Sequence, residues 1–313
     1  MVSGQARRRV FEPSGYEGRK AMRYPFRGRT RSAFTLVELL VVIGILAILM
    51  SLVTAGVIKY LERIPYTQTV NDIRQLAVGI EGFKTKYLVY PPSSIYLSNN
   101  LSDFAANGQQ ASLAYLNAIW PRLNWAAGID WSGGQGGIPA GGIVLQGDQC
   151  LVFFLNGPGG KNGNGWSTNP TNPTQVGGPR VGPFFEFGPV LNRVFPRSGQ
   201  PAAFPSFFDP YTNVDTQKGQ PYAFFCSGRS AGGYAPLVVG LTSDCQTLGL
   251  SPYVQPNGRF YNSNQFQIIS AGKNLLFGPG GAWPPGNPAS AYQVNGAGVD
   301  DLSNFWSDAL GVF

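Results

Sequence analysis

The longest apolar stretch of the chain covers residues 34–58, in which Glu38 is the only charged side chain. At about 1.5 Å per residue, a helix of this length can cross a hydrocarbon layer of about 30 Å. The pattern therefore predicts a membrane-spanning helix. A carboxylate inside such a helix is costly unless it has a partner, so Glu38 is the first candidate functional residue.

The helix is predicted to continue beyond the membrane, because apolar residues keep recurring at steps of three and four positions. Pro65 lies between the two halves, where it removes a backbone hydrogen bond and favours a kink. Pro91 and Pro92 are expected to end the helix. The recurring apolar residues, which predict a face packed against a globular domain, are Val70, Ile73, Leu76, Ile80, Phe83 and Tyr87, and the opposite side carries Asp72, Arg74, Glu81 and Lys84.

Small residues stand before the apolar run and not after it. An ordinary secretory signal is cleaved behind its apolar region, whereas here Ser32 and Ala33 precede the run. We therefore expect any cleavage to follow Ala33 and to retain the helix. A cut there would place a new α-amine on Phe34, about one helical turn from Glu38 of a neighbouring copy. Ammonium and carboxylate attract each other strongly in a low dielectric, so Glu38 would act in assembly.

The run Phe34-Thr35-Leu36-Val37-Glu38-Leu39, after a basic leader and a small residue, resembles the processing signal of the type IV pilin and type II secretion pseudopilin superfamily. The resemblance implies cleavage between Ala33 and Phe34 by a prepilin peptidase and N-methylation of Phe34. It also implies that Glu38 pairs with a neighbour's amine in a filament. The family usually has Gly where Ala33 stands. The simpler alternative is a plain membrane anchor that tolerates one Glu.

Charge is concentrated at the beginning of the chain. Of the 23 Lys and Arg, nine lie in residues 1–33 together with two Glu, and the rest of the chain carries equal numbers of both signs. A basic segment beside a membrane helix marks the cytoplasmic side, so we expect a single pass through the bacterial inner membrane with an exported body. The balanced body gives no support to nucleic-acid binding. Translation from Met22 would give a leader closer in length to those of typical prepilins.

From residue 93 onward the chain is rich in glycine and proline, with 42 Gly and 25 Pro in all, but 13% aromatic residues indicate a packed domain with many turns. Residues 113–120 predict a short helix, and residues 143–145 and 150–155 a buried strand or short helix. With the resemblance, this predicts an α+β pilin-like fold: a long N-terminal helix against a small antiparallel β-sheet with large Gly/Pro-rich insertions. The predicted divisions are a leader (1–33), the membrane and filament half of the helix (34–64), its packed half (65–90) and a β-rich domain (91–313).

Three segments of the C-terminal half narrow the resemblance to the major pseudopilins. They are Phe208-Asp209-Pro210-Tyr211 with residues 219–225, the alternating run 266–272, and the acidic segment 300–306. Residues 93–205 and 226–258 would then be insertions for which the family offers no guide.

The resemblance to the pseudopilins also implies a bound calcium ion. Calcium takes six to eight oxygen ligands at about 2.3 to 2.6 Å. Here the candidate ligands are Asp300, Asp301 and Ser303, with backbone carbonyls from the loop 272–278. The alternative is a solvated acidic turn that caps a short C-terminal helix.

Three cysteines lie in the part expected to be exported, where disulfides persist. An odd count leaves one over, and Cys226 with Cys245 is the pair that we expect to bond, leaving Cys150. The chain has no histidine, which excludes Ser-His-Asp and Cys-His catalysis and histidine-based zinc sites. The acidic residues from 103 to 244 form no recognisable pair, so we expect a protein that is not an enzyme.

The leading hypothesis is a pseudopilin of a type II secretion system, which would work with prepilin peptidase, an inner-membrane assembly platform and further pseudopilin copies. The second is a subunit of a surface type IV pilus for adhesion, motility or DNA uptake. The third is a membrane-anchored domain that binds carbohydrate through exposed Trp and Tyr. The sequence does not decide between a major and a minor subunit, and it does not identify the cargo.

Overall fold

A computed structural model describes residues 34–227, 233–283, 292, 293 and 295–311. The chain divides into two compact units, residues 1–56 and 57–313. Helix α1, Leu36–Tyr87, contributes residues to both units. The other helices are α2 (Leu101–Ala106), α3 (Gln110–Ile119) and α4 (Gly147–Asn156); the strands are β1 (Ile95–Leu97), β2 (Ile143–Leu145), β3 (Trp166–Ser167), β4 (Arg180–Val181), β5 (Val194–Phe195), β6 (Ser206–Phe207), β7 (Ala223–Cys226), β8 (Tyr253–Val254), β9 (Phe266–Ser270), β10 (Gly281–Ala282) and β11 (Leu302–Ser303).

The packed part of α1 follows the predicted apolar face. Ile73, Leu76, Ile80 and Phe83 are all buried, and Val70 and Tyr87 pack partly buried against them. The helix runs through Pro65 without interruption. It ends at Tyr87, before the two prolines, where Leu88 takes a left-handed backbone conformation with φ of 63°. The 3.6-residue period therefore identified the buried face, while a local turn sets the end of the helix.

Asp72 does not lie on a solvated side of α1 as predicted. It is 6% exposed, and its Oδ2 accepts hydrogen bonds from Arg193 Nη1 and from the Tyr222 hydroxyl, both at 2.9 Å. Arg193 also donates to the carbonyl of Phe208 and lies over the ring of Phe207. A buried ion pair and its hydrogen bonds thus connect α1 to residues that flank β5, β6 and β7.

The main sheet has three antiparallel strands in the order β11-β9-β7. Ala223 pairs with Ile269 and Cys226 with Phe266, while Leu302 pairs with Ser270. The alternating run 266–272 predicts a half-buried strand, but all five residues of β9 within it are buried.

Both faces of this sheet are covered. Phe224, Cys226, Phe266, Ile268 and Leu302 belong to the large core cluster that also contains the buried face of α1. Ala223, Phe225 and Ile269 instead join a smaller cluster, whose other buried members are Tyr234, Cys245, Leu250, Tyr253, Trp283, Tyr292 and Leu310. Alternation along each strand explains the division, since successive side chains point to opposite faces.

The insertion before the sheet is built around tryptophans. Trp120, Trp131 and Trp166 are buried with ring centroids 4.6 to 6.5 Å apart, and Trp125 lies 6.2 Å from Trp131. The predicted helix at 113–120 is confirmed as the greater part of α3, and residues 143–145 and 150–155 form strand β2 and most of α4.

This insertion packs directly on α1. Phe83 of α1 contacts Phe154 of α4, and Tyr87 contacts Trp120. Gly79 lets the backbone approach closely, because a Cβ there would lie 2.8 Å from the carbonyl oxygen of Phe184. The insertion therefore belongs to the main core.

Candidate functional site

The start of α1 is closed by a reciprocal hydrogen-bonded cap between Thr35 and Glu38. The Thr35 backbone N–H and the Thr35 hydroxyl each donate to Glu38 Oε2 at 2.9 Å. The Glu38 backbone N–H donates to Thr35 Oγ1 at 3.2 Å. This is a capping box, in which the cap residue and the third helical residue satisfy each other's free donors. In the isolated chain, Glu38 therefore stabilises its own helix.

The helix beyond this cap presents apolar side chains on all sides. Every described side chain from residue 34 to residue 54 is exposed in the single chain, including Leu36 and Val37 in the first turn. Exposed apolar surface of this extent marks a segment that is covered by a membrane or by other protein. By length and composition α1 can cross a membrane.

The predicted cleavage point lies at the edge of the described residues. Ala33 and the whole leader fall outside them, whereas Phe34 is described and 76% exposed. Phe34 and Glu38 are thus placed in the same exposed segment, and no contact with Ala33 is described.

Asp300 and Asp301, which directly precede β11 in the acidic segment, lie against the loop 272–278. The backbone N–H of Asn274 donates to Asp300 Oδ2, and that of Gly278 donates to Asp301 Oδ2, both at 2.8 Å. The Tyr253 hydroxyl donates to the same Asp301 oxygen at 3.0 Å. Gly272 permits this approach, since its φ is +64° and a Cβ there would lie 2.9 Å from Asp300 Cγ.

Three oxygens of the predicted calcium ligands are buried and have no hydrogen-bond partner: Asp300 Oδ1, Asp301 Oδ1 and Ser303 Oγ. Burial raises the pKa of Asp301 to about 8, and the nearby Asp300 carboxylate adds to the increase. Burial also raises the pKa of Asp300. Oxygen atoms that lack hydrogen-bond partners, on two neighbouring carboxyl groups and one hydroxyl, fit a hard cation such as calcium.

The described residues contain no group of three His, Cys, Asp or Glu that could hold a metal ion. A cation beside Asp300 and Asp301 would therefore need neutral oxygens, such as Ser303 Oγ and backbone carbonyls, in addition to the two carboxylates. The alternative of a solvated turn capping a helix is wrong, because Asp301 is fully buried and no helix follows it among residues 302–311.

The prokaryotic N-terminal methylation motif matches residues 28–54 of the chain. The match spans the end of the basic leader, the Ala33–Phe34 bond, Glu38 and the first part of α1. The chain fits a type IV pilin-like protein or pseudopilin. A search of the curated proteins and a search of the solved structures each gave no match.

The motif indicates what the exposed apolar helix is for in pilin-like proteins, namely membrane anchoring and assembly. The motif implies processing by a prepilin peptidase and assembly with other pilin-like subunits, and it indicates a membrane-anchored protein. The long N-terminal helix with small antiparallel sheets agrees with a pilin-like α+β fold.

The predicted disulfide of this pilin-like chain is wrong. None of its three cysteines, all within the described part of the chain, forms a disulfide. Cys226 faces the large core cluster, whereas Cys245 is buried in the smaller cluster on the other face of β7. The Cys245 thiol donates to the carbonyl of Phe224 at 3.4 Å. Closeness in sequence could not indicate that a strand separates the two side chains.

Two features of the site are not among the sequence predictions. One is the capping box of α1, although the order Thr35-x-x-Glu38 is itself its signature. Asp209, in the segment compared with the pseudopilins, is fully buried and accepts from the Ser270 hydroxyl at 2.8 Å. Burial raises its pKa to about 6. No local sequence pattern predicts the contact between Asp209 and Ser270, which are 61 positions apart in sequence.

Proposed function

We propose that the chain is a filament-forming pseudopilin of a type II secretion system, processed after Ala33 and assembled through the apolar half of α1. The methylation motif over residues 28–54, combined with a helix exposed on all sides, carries this proposal. The proposed orientation places the leader in the cytoplasm and the body in the periplasm. The partners would be further pseudopilin copies and an inner-membrane assembly platform, and the role is structural and not catalytic.

The choice of a secretion filament over a surface pilus rests on the C-terminal half. β7 and β9 pair within the two segments that the resemblance to the major pseudopilins treats as neighbouring strands, and Asp300 and Asp301 of the acidic segment directly precede β11. A surface type IV pilus subunit is the second candidate, because the large insertion around the tryptophans would suit a displayed surface. A membrane-impermeant label applied to intact cells distinguishes them: a secretion pseudopilin is protected by the outer membrane, and a pilus subunit is labelled.

Processing is the first testable prediction. When the full chain is expressed with a prepilin peptidase, the membrane-extracted protein is expected to begin at N-methylated Phe34, as measured by intact mass and N-terminal sequencing. Ala33→Gly should be cut at least as well, because Gly is also small, while Ala33→Leu should remain uncut. A chain that keeps its leader in the presence of the peptidase would identify a plain anchor and refute the proposal.

We further propose that Asp300 and Asp301 hold a calcium ion, with Ser303 Oγ as a neutral ligand. Bound calcium would supply positive charge to two neighbouring carboxyl groups, of which that of Asp301 is fully buried. The ion would also link β11 to the loop 272–278 and so stabilise the end of the main sheet.

Calcium is expected to raise the melting temperature of the detergent-solubilised chain. A ligand present at a hundredfold excess over its Kd adds about 2.7 kcal/mol, which corresponds to roughly 5 to 10 °C for a domain of about this size. Asp301→Asn should abolish the shift, while the exposed Asp215→Asn should keep it. Equal melting temperatures in calcium and in a chelator would contradict the proposal.

A further inference from the structure

A cavity of about 240 Å³ opens beside the start of α3, within the second unit of the chain. Three small residues, Ala111, Ala114 and Ala235, stand exposed at its rim. The base of the cavity is polar and buried, and it is formed by Ser93, Ser94, Cys226 and Asp244. We call this the Asp244 cavity.

Asp244 is the only charged side chain among the described residues that line the cavity. It is 2% exposed. Its Oδ2 accepts a hydrogen bond from the Ser93 hydroxyl at 2.8 Å, but its Oδ1 is buried with no partner. Burial raises the pKa of this carboxyl group. A buried acceptor without a hydrogen-bond donor is costly. Asp244 Oδ1 lacks such a donor, and the ionised carboxylate would also lack a positive charge beside it.

The serine hydroxyls beside Asp244 hydrogen-bond to its carboxyl group or to the backbone, and the hydrogen bonds from Ser94 and Ser93 oppose the increase in its pKa that burial causes. The Ser93 oxygen accepts the backbone N–H of Cys226 at 2.9 Å while its own hydrogen goes to Asp244. The Ser94 oxygen accepts the N–H of Leu237, and the Tyr115 hydroxyl donates to the carbonyl of Tyr90. No Lys or Arg is found among the described lining residues. None of the described lining residues therefore supplies a positive charge to Asp244.

The walls decide which kind of cation fits. Ala111 and Ala114 lie three residues apart on one face of α3, and Leu237 and Pro92 complete an apolar lining suited to an alkyl chain. A calcium ion would need six to eight oxygen ligands, and of the lining hydroxyls those of Ser93, Tyr115 and Ser227 are already hydrogen-bonded within the protein. A primary ammonium is a compact charge with three donors on a flexible carbon stem. We propose that the Asp244 cavity binds a primary alkylammonium group, carried by a lysine side chain of a partner or by a free alkylamine.

This site is separate from the N-terminal motif and does not depend on the proposed filament role. The test is a ligand-detected NMR titration of the detergent-solubilised full chain at neutral pH. The probes are n-butylammonium, Nα-acetyl-lysine methylamide and the uncharged n-butanol. We expect both ammonium compounds to bind and n-butanol to bind at least about tenfold more weakly, because a hydrogen bond to a charged group contributes about 1.5 to 3 kcal/mol. Binding of butylammonium without the lysine compound would identify a free amine as the source.

Two variants and one control make the result decisive. Asp244→Asn should weaken ammonium binding at least about tenfold, and Asp215→Asn, the same change at an exposed site, should leave it unchanged. Ala114→Leu fills the mouth of the cavity but keeps the carboxylate, so it should also abolish binding, and it provides the test if Asp244→Asn does not fold. Equal binding of n-butanol, unaltered binding by the variants, displacement of the ammonium by calcium, or no binding at all would each overturn the proposal.

Discussion

Glu38→Gln is expected to be processed normally but to form almost no filaments. A glutamine at this position still accepts the hydrogen bonds from Thr35, so the capping box of α1 survives. It carries no charge, however, and cannot neutralise the new amine of Phe34 on a neighbouring subunit. Leaving one member of a buried ion pair without its partner costs about 3 to 5 kcal/mol, which lowers the association constant by about a hundredfold or more. The measurement is the amount of filament in sheared or periplasmic fractions, alongside the intact mass of the processed chain.

Further variants separate the two roles of Glu38. Glu62→Gln removes another exposed carboxylate from α1 and should assemble normally. Thr35→Ala weakens the cap but keeps the charge, so its filaments should form. If Glu38→Gln assembles like the unmodified chain while Glu38→Ala does not, Glu38 acts only as a helix cap. The proposed pairing of its charge with a neighbour's amine would then be refuted.

Asp72→Ala is expected to destabilise the second unit by about 3 to 5 kcal/mol. It leaves the guanidinium of Arg193 buried without its counter-charge and removes the acceptor of the Tyr222 hydroxyl. Both ionic side chains are close to fully buried, at 11% and 9% exposure, so solvent screens their interaction little. The measurement is urea unfolding of the detergent-solubilised chain, with Asp215→Ala as the surface control, which should change stability by less than about 0.5 kcal/mol.

A double-mutant cycle tests whether the lost ion pair is the cause. Arg193→Met removes the buried charge, so the double variant Asp72→Ala with Arg193→Met should be less destabilised than the sum of the two single changes. Additive losses would show that Asp72 stabilises the fold by some route other than Arg193.

The sequence predicted those parts of the fold that have a short-range period. The apolar face of α1 repeats every three to four residues, and Ile73, Leu76, Ile80 and Phe83 are indeed buried. β9 follows an alternating run, although the pattern could not indicate that a second cluster covers its other face. The methylation motif could be identified because its signal is contained in one contiguous segment.

What the sequence could not predict depends on contacts between distant residues. The partner of Asp72 is 121 positions away, and a charged residue on a helix is more often solvated than buried. The prediction of a Cys226–Cys245 disulfide is wrong because the two side chains are buried in different clusters, on opposite faces of β7. The unpartnered oxygen of Asp244 depends on the arrangement of Ser93 and Ser94, which are about 150 residues away.

The tryptophan cluster gives the chain a built-in optical reporter. Trp120, Trp125, Trp131 and Trp166 lie close together in the insertion, whereas Trp283 and Trp306 lie near each other at the smaller cluster. Fixed contacts between aromatic rings generate near-ultraviolet circular dichroism, which disappears when tertiary packing is lost. Replacing Trp283 and Trp306 by phenylalanine would leave tryptophan bands that come from the insertion alone, so its order could be monitored in the assembled chain without any attached dye.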